Sequence, residues 1–215
     1  MIESVLVDPV IKGILDYPSE SRAVELKSSM PWSDISQQQQ LQETVKSILG
    51  MSNIKDGGKI IIGIRQNSDK TFEVTGVCGE DLETYDPDKI YQAVRNYGEP
   101  APRFEVKNME YKGKFFVVFL VQEFLYSPVI CCKNGKNIVS EPLVKGALYI
   151  RTHSPGTKKV DNETEMREII NLAIDKEIES YSARTQKICR ATPHAEIPKG
   201  EIDDKKFTDE IRDVL

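Results

Sequence analysis

A glycine pair followed by a run of β-branched residues is the feature that most restricts how this chain can fold. Gly57-Gly58 precedes the sequence IIIGI at residues 60–64. A short apolar run bounded by glycine is typical of a strand that is buried on both faces. Apolar residues at helical spacing over residues 38–51 predict a helix that leads into it. These patterns predict an α/β (α+β) domain built around a central buried strand.

Further segments carry strand and helix patterns on both sides of this strand. Alternation or apolar runs predict strands over Ala23–Lys27, Phe72–Val77, Phe104–Met109, Lys114–Gln122, Val129–Lys133 and Ala147–Arg151. We expect the second of these to form a hairpin with the central strand. Capping signals and helical spacing predict helices over Asp86–Tyr97 and Asn162–Tyr181.

The composition is that of an ordinary globular protein, with 39% apolar and 29% charged residues. No apolar run approaches the roughly 20 residues that span a bilayer, so we expect no membrane association. Four cysteines without C-x-x-C spacing indicate a reducing cytoplasm. We expect one main domain over residues 19–181, preceded by a helical segment over 1–18. The charged tail, 182–215, is an appendage, a linker or a segment that binds a protein partner.

The charge is distributed unevenly along the chain. Residues 103–159 contain ten basic and four acidic side chains, a net charge of +6, whereas the rest of the chain carries −11. A cationic segment on an acidic protein can form a local phosphate-binding face. The alternative is a set of solvated lysines on the exposed side of a sheet.

Two acids and a lysine surround the first predicted strand. Glu25 and Lys27 fall on one face of it, and Val24 and Leu26 on the other. Glu20 lies just before the strand and could serve as a second oxygen ligand. A carboxylate beside a lysine suits metal-dependent phosphodiester chemistry, in which the acid holds a hard cation and the ammonium steadies the phosphate. The alternative is an exposed edge strand with an ion pair of little energetic weight.

The glycine turn is a second candidate site. Asn53, Gly57 and Gly58 lie between a helix and a buried strand, where positive φ and close approach of a phosphate are accessible. Neither a Walker A nor a Rossmann fingerprint is present, since no Gly-Lys-Ser/Thr follows and the glycines precede the strand. The alternative is a tight helix-to-strand turn.

The cationic segment contains two groups of candidate nucleic-acid contacts. The first group leaves the last predicted strand and comprises Arg151, His153, Ser154, Lys158 and Lys159. The second group interleaves lysines with aromatic residues and comprises Lys107, Lys112 and Lys114 with Tyr111, Phe115 and Phe116. Structural roles remain open for His153 and for the two phenylalanines, which also suit a core.

These residues, taken in order, resemble the Schlafen AlbA-like domain family. The resemblance rests on Glu20-x4-Glu25-Leu-Lys27, the helix ending in Met51-Ser-Asn53, the Gly57–Ile64 strand, and Tyr149-Ile-Arg151-x-x-Ser154 before a final helix. It covers roughly Ser19 to Tyr181. It implies a curved, mixed sheet flanked by helices and a groove that faces nucleic acid. Some members build this groove from two lobes, so a single lobe would have to form a homodimer.

In the ribonuclease members of that family, three carboxylates hold a metal ion, which here would be Mg or Mn. The resemblance assigns two of them to Glu20 and Glu25. The third is expected after the central strand, where this chain instead has Arg65-Gln66. Three hypotheses follow: a nucleic-acid-binding module for RNA or DNA, a metal-dependent endoribonuclease that uses Glu20, Glu25 and Lys27, and a non-catalytic protein-interaction subunit.

Overall fold

The computed structural model describes residues 8–33, 39–136 and 141–191. Two compact units divide the chain, Met1–Glu177 and Ile178–Leu215. The first unit contains the sheets described below. In the second, residues 178–191 continue a helix. The predicted segments 1–18 and 182–215 are described only in part, because residues 1–7 and 192–215 lie outside the described ranges.

The elements follow the predicted order closely. The helices of the described residues are α1 (Pro9–Asp16), α2 (Gln39–Ser52), α3 (Gly79–Leu82), α4 (Pro87–Arg95) and α5 (Glu163–Ala191). The strands of the same ranges are β1 (Val24–Lys27), β2 (Gly58–Ile62), β3 (Ile64–Gln66), β4 (Phe72–Val74), β5 (Gly98–Glu99), β6 (Phe104–Tyr111), β7 (Lys114–Val121), β8 (Ile130–Cys131), β9 (Tyr149–Arg151) and β10 (Thr157–Lys159).

The main sheet has the strand order β1-β2-β7-β6. β1 runs parallel to β2, and the other two pairs are antiparallel. This is a mixed sheet within an α+β fold, which confirms the predicted fold class. β2 lies inside the sheet, as its isoleucine run predicts.

Both faces of β2 are covered. Ile60 and Ile62 belong to one apolar cluster, which contains much of α2, whereas Ile61 packs with Ile11 and Leu15 of α1 in the other. Each of these isoleucines has no exposed surface. Burial of such a side chain stabilises the fold by about 1.5–3 kcal/mol. The isoleucine run therefore packs against α2 on one face of the sheet and against α1 on the other.

The partner of Phe72–Val77 differs from the prediction. β2 ends at Ile62. Gly63, which follows it, has a φ of +112°, and the chain continues as β3. β4 pairs with β3 and not with β2, whose two edges are already taken by β1 and β7. The predicted hairpin therefore forms beyond the turn at Gly63.

Helical spacing predicts one apolar face on the last helix, formed by Met166, Ile169, Ile170, Ala173 and Ile174. The structure divides this face in two. Ile169 is buried against the core, but Met166, Ile170 and Ile174 are exposed. Residues four apart turn by about 40° per step around a helix, so this row leaves the buried side. Within the described ranges, no helix combines the length and the apolar character that crossing a membrane requires.

The last part of the cationic segment forms a separate antiparallel hairpin, β9–β10. It packs on α2. Arg151 pairs in register with Thr157, and Tyr149 with Lys159. The hairpin and β1 together position the predicted site residues.

Candidate functional site

Glu25 and Lys27 lie on the same face of β1, as predicted from strand alternation. Lys27 Nζ is 2.7 Å from Glu25 Oε1 and 3.8 Å from Glu43 Oε2 on α2. Leu26 points the other way, into the cluster that contains α1. The second carboxylate oxygen of Glu25, Oε2, accepts a hydrogen bond from Nη1 of Arg151. Glu25 therefore stands between two cations.

Arg151 is buried, with no exposed side-chain surface. Its guanidinium has five N–H donors, and the structure supplies an acceptor for each. Besides Glu25 Oε2, the acceptors are Thr157 Oγ1 at 3.3 Å, Arg22 O at 3.0 Å, Ser21 O at 2.9 Å and Val24 O at 3.3 Å. The basic motif around Arg151 predicts that this residue contacts phosphate. The structure instead commits its donors to the protein interior, so the residue joins β9 to β1.

The charges around Glu25 shift its ionisation. Burial by itself raises the pKa of this carboxyl, but the attraction of Lys27 and Arg151 outweighs burial and lowers the pKa below its usual value. Glu20 behaves in the opposite way. Burial raises the pKa of Glu20, although its Oε1 accepts a hydrogen bond from Leu26 N at 3.0 Å. The pKa values of the two carboxyls are thus displaced in opposite directions.

The residues at this position do not fit a divalent cation. Both oxygens of Glu25 are bonded to cationic side chains, and one oxygen of Glu20 is bonded to an amide. At the place of the expected third acid, Arg65 pairs with Glu73 of the neighbouring strand. In residues 8–33, 39–136 and 141–191 there is no group of three His, Cys, Asp or Glu side chains that could hold a metal ion. The Mg or Mn site that the resemblance implies therefore has no ligand set here.

The glycine turn is filled by atoms of the protein itself. Asn53 is fully buried, and its Nδ2 donates to Val129 O at 2.9 Å and to Tyr149 O at 3.0 Å, while its Oδ1 accepts from Val129 N at 2.8 Å. A Cβ at Gly57 would lie 2.1 Å from Val121 O, and one at Gly58 would lie 2.6 Å from Met51 Sδ. The turn thus lets the backbone pack closely, which is the alternative that the sequence left open.

The loop between β9 and β10 is exposed. His153 and Ser154 are exposed within it, and Thr152 N donates to Gly156 O at 3.0 Å to close it. Lys158 Nζ lies 3.0 Å from Asp161 Oδ1 and 2.9 Å from Glu165 Oε1. Lys159 is exposed. Loop and strand together present polar and basic groups at the surface.

Lys46 of α2 is a functional candidate that the sequence reasoning missed. With Lys158 and Lys159 it lines a cavity of about 380 Å³, together with Tyr149 and two acids, Glu141 and Asp161. Lys46 Nζ is 2.8 Å from Glu141 Oε2 and 5.7 Å from the centre of the Tyr149 ring. No local pattern marked Lys46, since it lies far from the cationic segment in sequence.

The lysines of the β6–β7 hairpin have partners of their own. Lys107 Nζ lies 2.9 Å from Glu105 Oε2, and Lys112 Nζ lies 2.7 Å from Asp16 Oδ1. Lys114 Nζ donates to Val74 O at 2.6 Å. These lysines do not line the cavity that Lys158 and Lys159 share with Lys46. The structure thus assigns the predicted basic residues to two hairpins.

Two aromatic residues of the β6–β7 hairpin contact the rest of the fold. Phe116 has no exposed surface. The hydroxyl of Tyr111 donates to Asp16 Oδ1 at 2.9 Å. Phe116 therefore fills the core, which the sequence left open, and Tyr111 ties the hairpin to α1.

Comparison with known proteins gives a family match. The model of the family described as Schlafen, AlbA_2 matches residues 20–160, a range that contains the Glu25–Arg151 contact and the β9–β10 hairpin. Among curated proteins, none matches the chain.

Two solved structures are similar to part of the chain. The DIP2311 protein from Corynebacterium diphtheriae matches with a TM-score of 0.45 and 14% identity, over 74% of this chain and 27% of that one. The chain thus spans about a quarter of that protein's length. The N-terminal domain of a RecG-related protein from Nitrosomonas europaea matches with a TM-score of 0.37 and 18% identity, over 70% of this chain and 88% of that domain.

Proposed function

The chain belongs to the Schlafen, AlbA_2 family, and from this premise we propose that it binds the phosphates of RNA or DNA through the β9–β10 hairpin. One observation carries the proposal. Lys46, Lys158 and Lys159 come from α2 and β10, and all three line one surface cavity. Ammonium groups grouped in this way suit contacts with a phosphate backbone.

Acidic side chains in and beside this cavity hold Lys46 and Lys158 in position. Glu141 accepts from Lys46, and Asp161 and Glu165 flank Lys158. Lysines that are already fixed lose less side-chain entropy when they meet a phosphate. His153 and Ser154 extend the same surface with polar groups that can donate to phosphate oxygens. Lys107, Lys112 and Lys114 would supply an outer contact from the other hairpin.

The endoribonuclease alternative has weaker support. It requires a divalent cation between Glu20 and Glu25, and both oxygens of Glu25 are bonded to Lys27 and Arg151. The third alternative, a protein-interaction subunit, would use surfaces other than the lysine cavity. The homodimer, the cytoplasmic location and the partner of the tail stay predictions, and sedimentation equilibrium would decide the first of them.

Binding is tested by fluorescence anisotropy with short labelled single-stranded RNA and DNA over a series of salt concentrations. The variants are Lys46→Ala and Lys158→Ala/Lys159→Ala. The control is Lys89→Ala, which removes a lysine of α4 that is 80% exposed.

The number of phosphate contacts can be read from the salt dependence. Each lost contact should reduce the slope of log K against log salt by roughly 0.7–0.9. We expect a reduction near that size for Lys46→Ala, about twice as much for the double variant, and none for the control. Equal slopes in all four proteins would contradict the proposal. An absence of binding by the unmodified protein would favour a protein partner.

A further inference from the structure

The carboxylate of Glu25 is the point where β1 meets the β9–β10 hairpin. Its Oε2 accepts from Nη1 of Arg151, 126 residues further along the chain. The same Nη1 lies 3.3 Å from Thr157 Oγ1 on β10. One ion pair thus connects β1 to both strands of the hairpin.

The N–H donors of Arg151 are all used within the protein. All five donors of Arg151 have acceptors within the protein, three of which are backbone carbonyl oxygens of residues 21, 22 and 24. An arginine in this state has no donor left for a phosphate. Its planar fork is used in full, which a lysine could not reproduce.

The charge of the cluster is balanced from within. Lys27 and Arg151 both contact Glu25, so the site already carries one positive charge in excess of that carboxylate. Glu43, whose Oε2 lies 3.8 Å from Lys27 Nζ, and Glu20, half-buried nearby, supply negative charge against this excess. A divalent cation would have to displace both contacts of Glu25 and leave Arg151 buried without its counter-ion, which is a costly state.

We infer that Glu25 and Arg151 form a positioning ion pair that fixes the β9–β10 hairpin on β1, and that this pair stands where the family implies a divalent metal site. Glu25 is then a structural counter-ion and not a metal ligand. Lys158 and Lys159 reach their positions in the cavity because Arg151 is anchored. The part that concerns nucleic-acid affinity rests on the proposed function, whereas the part that concerns the metal does not.

The metal part is tested on the unmodified chain by electron paramagnetic resonance of Mn²⁺. The signal of the free hydrated ion should stay at full intensity when protein is added. The inference is overturned if the protein quenches the signal and Glu25→Gln restores it. This measurement needs no nucleic acid.

The positioning part is tested by amide hydrogen exchange over residues 149–159. Glu25→Gln keeps the shape of the side chain but removes its charge, and we expect exchange in the hairpin to become about tenfold faster or more. Glu43→Gln is the matched control, because it removes a half-exposed carboxylate near the same lysine. Equal exchange in the two variants would overturn the inference.

Arg151→Lys separates positioning from phosphate contact. It retains the charge but loses the fork, so a positioning role predicts that its hairpin exchanges as fast as that of Arg151→Gln and that nucleic-acid affinity falls in both. A direct phosphate contact predicts that Arg151→Lys keeps the slow exchange and most of the affinity, and that result would overturn the inference. If the unmodified protein binds no nucleic acid, the proposed function fails. The hydrogen-exchange and Mn²⁺ resonance measurements would still decide whether Glu25 and Arg151 form a positioning ion pair.

Discussion

Arg22 and Arg151 each donate a hydrogen bond to the other's carbonyl oxygen, from Nε to O at 3.0 Å in both directions. Each arginine also has a carboxylate of its own, since Arg22 Nη2 pairs with Glu168 and Arg151 Nη1 pairs with Glu25. These two reciprocal hydrogen bonds join the turn before β1 to the end of β9. Through Glu168 it extends to α5.

Arg22→Ala should destabilise the fold by about 1–2 kcal/mol, because it removes a charged hydrogen bond to Arg151 O and the half-buried ion pair with Glu168. Thermal unfolding followed by circular dichroism measures the change. The control is Arg167→Ala, which breaks an exposed pair with Glu163 on the same helix and should cost less than about 0.5 kcal/mol. Equal losses would contradict the role of Arg22.

The ionisation of Glu123 should make the free energy of unfolding depend on pH. Burial raises the pKa of this carboxyl, but Lys176 and the amide of Asp56 outweigh burial and lower the pKa below its usual value of 4.5. Because the folded value is lower than the unfolded one, the stabilisation is present above pH 4.5 and is lost as the pH falls through the folded value. The difference in unfolding free energy between the unmodified protein and Glu123→Gln should therefore shrink in acid. Urea titrations at several pH values would show this, and a constant difference would contradict it.

Gly57→Ala should destabilise the fold by about 3 kcal/mol or more, because the added Cβ would meet Val121 O at 2.1 Å and the residue has a φ of +65°. Gly113→Ala is a matched control. Its φ is +72°, and nothing lies within 4 Å of the added atom, so it should cost only about 1 kcal/mol, the conformational penalty. Urea unfolding compares the two, and equal costs would show that the close approach at Gly57 has no effect.

Asn53→Asp should destabilise the fold more than Asn53→Ala at neutral pH. The amide nitrogen of Asn53 donates to Val129 O and Tyr149 O, and a carboxylate would place negative charge against those two oxygens in a buried site. Acid should recover part of the stability of Asn53→Asp, because protonation restores a donor. Thermal unfolding at neutral and acid pH tests both statements. A variant that is as stable as the unmodified protein would contradict the bonding of Asn53.

Several elements were predictable because their signals are local. The isoleucines before Gly63 indicate a strand buried on both faces, and Asp86-Pro87 indicates a helix start that the structure places at Pro87 with Asp86 as its cap. The Tyr111-Lys-Gly113 turn between two predicted strands indicates a hairpin, which forms between β6 and β7. Each signal lies within a few residues of the element that it specifies.

Other assignments failed because they depend on what lies across the fold. The partner of β4 was predicted wrongly, since β1 and β7 occupy both edges of β2. The apolar face of α5 was predicted as one surface, but only part of it meets the core. Nothing in a local pattern states which of two apolar rows will find a neighbour.

Local patterns are enough to specify the order of the elements, the central position of β2 and the common face of Glu25 and Lys27, because alternation along a strand is a property of the backbone. The roles of those residues follow only from contacts between distant segments. Arg151 is buried, although the basic and polar residues around it in sequence predict a surface contact. Lys46 and Lys158, which are distant in sequence, line the same cavity. A charged side chain takes its role from its partners, and for Glu25 and Arg151 those partners are 126 residues apart.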